Sequence, residues 1–308
     1  MTKLNILNGS TLEVGDVRVT FQRTLRIPDD GRTYPLPPGL GAFPLRRVDD
    51  YASRVPAEWA ERGGVFLPMY QREAMWLGFG GSPSRALQIG VGKVCAVSGG
   101  IFGAELRSTP QNYVVTGTQP WLDGIASGKG TIRQFVAMPL GRGVTVEAQV
   151  TGDERFGGIQ LKAFAPKPGR VVDASPYRSS AAPAPLGAAR CRAPSASMGL
   201  AAGGRMKQKV YPDPYGVDAW DVDETSRVFV HLVNSERWRE ITGEPPPSTP
   251  VSAKSYQSAG LPWFELYDED ASTIEPTSTL ASVKSLDTLG SGLVHRLARA
   301  LGVRDGDW

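Results

Sequence analysis

Carboxylates set beside aromatic residues are the groups in this sequence best placed to do chemistry. In Gln119-Pro120-Trp121-Leu122-Asp123-Gly124 a Trp and an Asp share one turn, as in a loop that stacks a sugar ring and hydrogen-bonds its hydroxyls. In Gln71-Arg72-Glu73 a cation and a carboxylate lie inside an otherwise apolar stretch. They can form the polar floor of a pocket or an ion pair that ties a buried segment to its neighbours. The stretch Asp213 to Glu224 gathers Asp218, Asp221 and Asp223 around Gly216 and Trp220. A hard cation takes several carboxylate and carbonyl oxygens from a bent loop, so these three aspartates are candidate calcium ligands. Their spacing is not that of an EF-hand. A solvated acidic loop with Tyr215 and Trp220 tucked inward explains the same residues. Trp220 beside Asp218 and Asp221 repeats the aromatic–carboxylate pairing of Trp121 and Asp123.

Other chemistries are poorly supplied. The chain has two histidines and two cysteines. His231 falls within an apolar run, Phe229 to Val233, and reads as a structural strand histidine. Cys95 falls within Val94-Cys95-Ala96-Val97 and reads as a small buried hydrophobe. Val97-Ser98-Gly99-Gly100 lacks the first glycine of a nucleophile elbow. Gly90-Val91-Gly92-Lys93 is followed by Val94 where a phosphate loop needs Ser or Thr. Two cysteines make neither a disulfide framework nor a zinc site. The net charge of +3 in 308 residues argues against nucleic acid or an anionic membrane as partner. No apolar run reaches the roughly 18 residues of a membrane span, and the N-terminus does not read as a signal peptide, so a cytoplasmic location is expected.

The elements that must position these groups are short. Gly at 36 and Pro at 25 favour strands and turns over long helices. Val17, Val19 and Phe21 alternate with Arg18, Thr20 and Gln22, a half-buried strand with turn signals at Asn8-Gly9 and Gly15-Asp16. Residues 63–81 hold the densest aromatic and sulfur surface and predict two short extended pieces around a turn or one helical turn, with the N-terminal region packed on them. Further strands are expected at 87–91, 93–97, 113–115, 131–138, 144–150 and 159–164. Pro56 to Arg62 predicts a short helix ended by Gly63, and Asn234 or Ser235 predicts the cap of another through Trp238 to Thr242.

The expected organisation is mainly β, or α+β. An antiparallel β-sandwich or barrel-like domain covers 1–165. A Pro/Ala/Ser-rich linker or insertion covers 166–197, an α+β region 198–270, and a polar tether with an amphipathic C-terminal helix 271–308. In that helix Leu293, Val294, Leu297 and Leu301 make one apolar stripe. Strand-like runs at 205–211 and 227–233 either add to the first sheet or build their own. Val251 to Ala259 predicts a helix, and Leu261 to Tyr267 an aromatic strip that docks on the sheet.

The expected function is non-enzymatic: a binding or structural protein acting through aromatic-rich loops on a β scaffold, with a protein partner or self-association. Trp121, Asp123, Trp220, Arg72 and Glu73 are its candidate contact residues. Two alternatives remain open. One is a carboxylate-based hydrolase, metal-assisted through 213–224 with help from Arg72, Glu73 or Asp123, which requires Asp123, Glu73, Asp218 and Asp221 to converge at about 5–9 Å. The other is a lectin-like carbohydrate-binding module.

Overall fold

In the computed structural model, residues 4–171, 197–250 and 272–290 are described. The expected helix 251–259, the aromatic strip 261–267, the C-terminal stripe 293–301, Cys191 and most of the Pro/Ala/Ser-rich segment lie outside those residues.

Alternation writes the first hairpin. In β2 (Val17–Thr24), Val17, Val19 and Phe21 are buried while Arg18 faces water. β1 (Thr11–Val14) pairs with it through a turn at Gly15, whose φ of 60° suits a residue without Cβ. The dense stretch 63–81 becomes β3 (Val65–Met69) and β4 (Ala74–Gly80) around a turn at 70–73, as its pattern predicts. The other long strands are β5 (Ala86–Val91), β6 (Thr131–Pro139), β7 (Ile159–Pro166), β8 (Ser197–Lys207) and β9 (Trp220–Asn234).

These strands are joined by hydrogen bonds in the succession β1-β2-β4-β6-β8-β9-β7-β5, antiparallel at every step, with β7 and β8 following one another along the same edge of β9. β8 meets β9 only at Ser197↔Val233 and Met198↔Leu232, so the sheet turns there into two arms. β3 runs parallel along the other side of the second half of β9. Among the described residues no pairing joins β1 to β5, and the sheet does not close into a barrel. Leu12, Phe21, Leu67, Leu77, Ile89, Phe135, Leu161, Leu200 and Val230 share one core drawn from all nine strands, each at most 1% exposed. Each such side chain contributes roughly 1.5–3 kcal/mol by leaving water.

Helices are short and locally capped. Pro56 precedes α1 (Ala57–Arg62), whose Trp59 is buried in one cluster with Phe66 and Trp238. Residues 144–150, expected as a strand, instead form α2 (Val146–Thr151). The Thr145 hydroxyl accepts the Ala148 N–H, and Gly152 ends the helix in the left-handed region. Here capping outweighs the β preference of the valines. Asn234 caps α3 (Ser235–Thr242), and Gly243 closes it at φ 78°. The expected strand 205–211 starts earlier, at Ser197, because Met198, Leu200 and Ala202 feed the core.

Candidate functional site

Glu73 and Arg72 occupy the turn between β3 and β4 and point in different directions. Arg72 takes a left-handed φ of 68°, gives its N–H to Ala137 O at 2.7 Å, and stays exposed 3.9 Å from Asp287. Glu73 is buried. Its Oε1 accepts from Arg23 Nε at 2.6 Å and its Oε2 from the Tyr70 N–H at 2.8 Å. Burial pushes this carboxyl up to about 7, against the pull of Arg23 and the Tyr70 N–H. The guanidinium cannot shed its proton, so the two stand as a charge-assisted pair. Arg23 also donates from Nη2 to Ser248 O at 2.6 Å, and Tyr70 Oη donates to Pro247 O at 2.9 Å. The pair is thus a clamp on the proline-rich stretch after α3, which Arg46 also holds through Glu244.

Asp123 lies beside Glu73 along β6. Its carbonyl accepts the Phe135 N–H at 3.0 Å, while that of Glu73 accepts the Ala137 N–H at 2.9 Å. Two residues of strand separate those donors, about 7 Å. The carboxyl groups nevertheless serve different partners. Asp123 Oδ2 accepts from Gln208 Nε2 at 2.7 Å, and Gln208 Oε1 accepts the Asp123 N–H at 2.9 Å. Burial pushes the Asp123 carboxyl up to about 7, with only the Gln208 bond opposing it. Trp121 is half-buried against Ile27, Leu36, Ile132 and Met206, so it is part of a packed cluster.

The acidic stretch is organised by Asp213, a residue the spacing did not single out. Its Oδ2 accepts from Tyr113 Oη at 2.6 Å and from the Trp220 indole N–H at 2.8 Å. Trp220 is 1% exposed and meets Tyr215 edge-on, which matches the inward-tucked arrangement. Asp221 accepts the N–H groups of Asp223 and Glu224, which hold its carboxyl below the usual range. Asp218 and Asp223 are exposed. Among the described residues no three His, Cys, Asp or Glu side chains lie together as metal ligands. Between Trp220 and Thr225 five residues span what two span on β7, so Asp221 to Glu224 bulge from the sheet.

A cation–aromatic face on β7 and β9 emerges beside this bulge. Lys162 and Arg227 are register partners. Lys162 Nζ lies 4.7 Å from the Phe164 ring, and Arg227 Cζ 5.4 Å from Phe102 and 5.1 Å from Phe229. Phe102 can lie on the sheet because Gly90 beneath it has no Cβ; one built there would sit 2.6 Å from the ring. Arg227 donates to Gln160 Oε1 at 2.6 Å, and Gln160 donates to Gly92 O at 2.7 Å.

Farther along, Arg62, Lys93 and Arg155 surround Phe156 at 4.7, 4.6 and 5.8 Å from its ring. Three like charges therefore gather within about one Debye length. The carboxylate below them, Glu147, is taken up by the N–H groups of Lys93, Phe156 and Gly157. None of the five cations Arg62, Lys93, Arg155, Lys162 and Arg227 pairs with a carboxylate of the described residues. His231, on the same strand, bonds Gly63 O at 2.9 Å and stacks on Trp59 at 4.7 Å. Burial lowers its pKa to about 4, so it is a neutral packing group, as its place in an apolar run predicts. Cys95 donates to Asn112 O, and burial pushes its thiol up.

The only sequence signal for this face is the alternation Gln160-Lys162-Phe164 and Arg227-Phe229-His231. It reads as ordinary strand patterning until register sets Lys162 against Arg227. No family model, curated protein or solved structure matches this chain.

Proposed function

We propose that this protein is a non-enzymatic binding module whose working surface is the cation–aromatic face of β7 and β9, and that it recognises acidic segments of proteins. The observation that carries this reading is the set Arg62, Lys93, Arg155, Lys162 and Arg227. These are cations layered over aromatic rings with no intramolecular ion pair among the described residues. Such charges repel one another in the free protein, and an incoming polyanion relieves that repulsion. The rings are already covered by cations, which leaves no flat platform for stacking nucleobases.

The candidate catalytic carboxyls are spent elsewhere: Glu73 on Arg23, Asp123 on Gln208. This use favours the binding reading over the hydrolase. Trp121 and Trp220 are packed rather than offered to a sugar, which favours it over the lectin reading.

Fluorescence anisotropy with labelled poly-glutamate at low ionic strength tests the reading. Binding should weaken at least tenfold in Lys162→Glu/Arg227→Glu. It should change little in a control that reverses two exposed cations elsewhere, on β8, Arg205→Glu/Lys207→Glu. Equal effects of the two pairs would refute it.

A further inference from the structure

Two large apolar side chains are strongly exposed among the described residues: Ile101 at 72% and Val222 at 60%. Both border the working face, at opposite ends of a charge gradient. Ile101 bridges to Val94 and is followed by Phe102, whose N–H bonds Lys93 O and whose ring lies under Arg227. It therefore sits among the cations. Val222 lies in the bulge, flanked by Asp221, Asp223 and Glu224, with Asp218 in the short 3-10 turn before it; Glu224 lies 4.0 Å from Arg85, while Asp218 and Asp223 are exposed with no ion pair among the described residues. Arg227 follows Glu224 by three residues on the same strand, about 10 Å, so the acidic and basic ends adjoin.

A surface that is acidic at one end, basic at the other and apolar at a point in each is complementary to itself when turned through a two-fold axis. That is the requirement for an isologous interface. We propose that the face binds a second copy of this chain, antiparallel, with the acidic bulge Asp218 to Glu224 of each copy against Lys162 and Arg227 of the other. Val222 of one copy then packs beside Ile101 of its partner. The inference rests on the binding reading above and names the acidic segment it recognises.

Charge exchange tests it by sedimentation velocity and light scattering, with melting temperatures to verify folding. At about 100 µM and low salt the wild type should be dimeric, and it should dissociate as ionic strength rises toward about 0.5 M, where the Debye length falls to a few ångströms. Lys162→Glu/Arg227→Glu and Asp218→Lys/Asp223→Lys should each be monomeric, because both contacts of the pair become like-charged. Mixed one to one, the two variants should form a heterodimer, since every contact is again between opposite charges. All four substitutions in one chain should restore the homodimer.

A monomeric wild type under these conditions, a dimer indifferent to both variants, or failure of the mixture to associate would overturn the proposal. Poly-glutamate binding separates the two failures. A monomer that still binds poly-glutamate through Lys162 and Arg227 leaves the binding module standing and removes only the second copy as its partner. A protein that does neither loses both.

Discussion

Replacing Asp123 by Asn should abolish one limb of the pH–stability curve. Asp123 is buried with Gln208 as its hydrogen-bond partner, and burial raises its carboxyl from 3.8 to about 7. Between those values the native state holds a proton that the unfolded chain has released. Stability therefore falls as pH rises through that window and levels off above it. With these two pKa values the penalty is about 2 kcal/mol at pH 5 and about 4 kcal/mol at pH 8. Asparagine keeps both contacts with Gln208, because its amide oxygen can accept from Nε2 and the backbone N–H is unchanged. It does not titrate. Its buried NH2 group adds a cost of about 1–3 kcal/mol if unpartnered, and that cost is the same at every pH. The decisive quantity is thus the slope, not the offset. Urea unfolding from pH 5 to 8 should show the wild type losing about 2–3 kcal/mol more than Asp123→Asn, with equal m-values. Parallel profiles would show that Asp123 ionises normally inside the fold, and the account of its burial would be wrong.

Three further outcomes follow from named contacts. Removing one partner of the Arg23–Glu73 pair, as Arg23→Met or Glu73→Leu, should cost about 3–5 kcal/mol, whereas Arg23→Met/Glu73→Leu should cost less than the sum; chemical denaturation of the double-mutant cycle measures it. His231, whose pKa falls from 6.5 to about 4, should make the wild type lose up to about 3 kcal/mol as pH drops through that window, because only the unfolded chain takes up the proton; His231→Phe should lack that acid limb in thermal melts. Thr145→Ala removes the cap of α2 and the hydroxyl donated to Glu154 at 2.6 Å, and should lower stability by about 1–2 kcal/mol in guanidinium titrations.

Much of the framework was legible in the order of residues, because backbone preferences act locally. Alternation in 17–22, the turns at Asn8-Gly9 and Gly15, Pro56 and Gly63 around α1, and Asn234 and Gly243 around α3 each report a constraint met within a few residues. The valines at 144 and 146 misled because β preference measures packing against neighbours more than the backbone itself. The local contest was settled by the Thr145 cap and Gly152.

Partners distant in sequence were decided by tertiary structure alone. Fifty residues separate Arg23 from Glu73, 85 separate Asp123 from Gln208, and 100 separate Tyr113 from Asp213. Composition and spacing marked Glu73 and Asp123 as groups able to do chemistry, and only folding showed which partners their carboxyls serve. The cation–aromatic face exists for the same reason: strand register lays Lys162 beside Arg227, and a loop carries Lys93 to the Phe156 ring. A net charge of +3 summed over the whole chain averages that asymmetry away. Electrostatic fields depend on where charges stand, and that is a property of the fold.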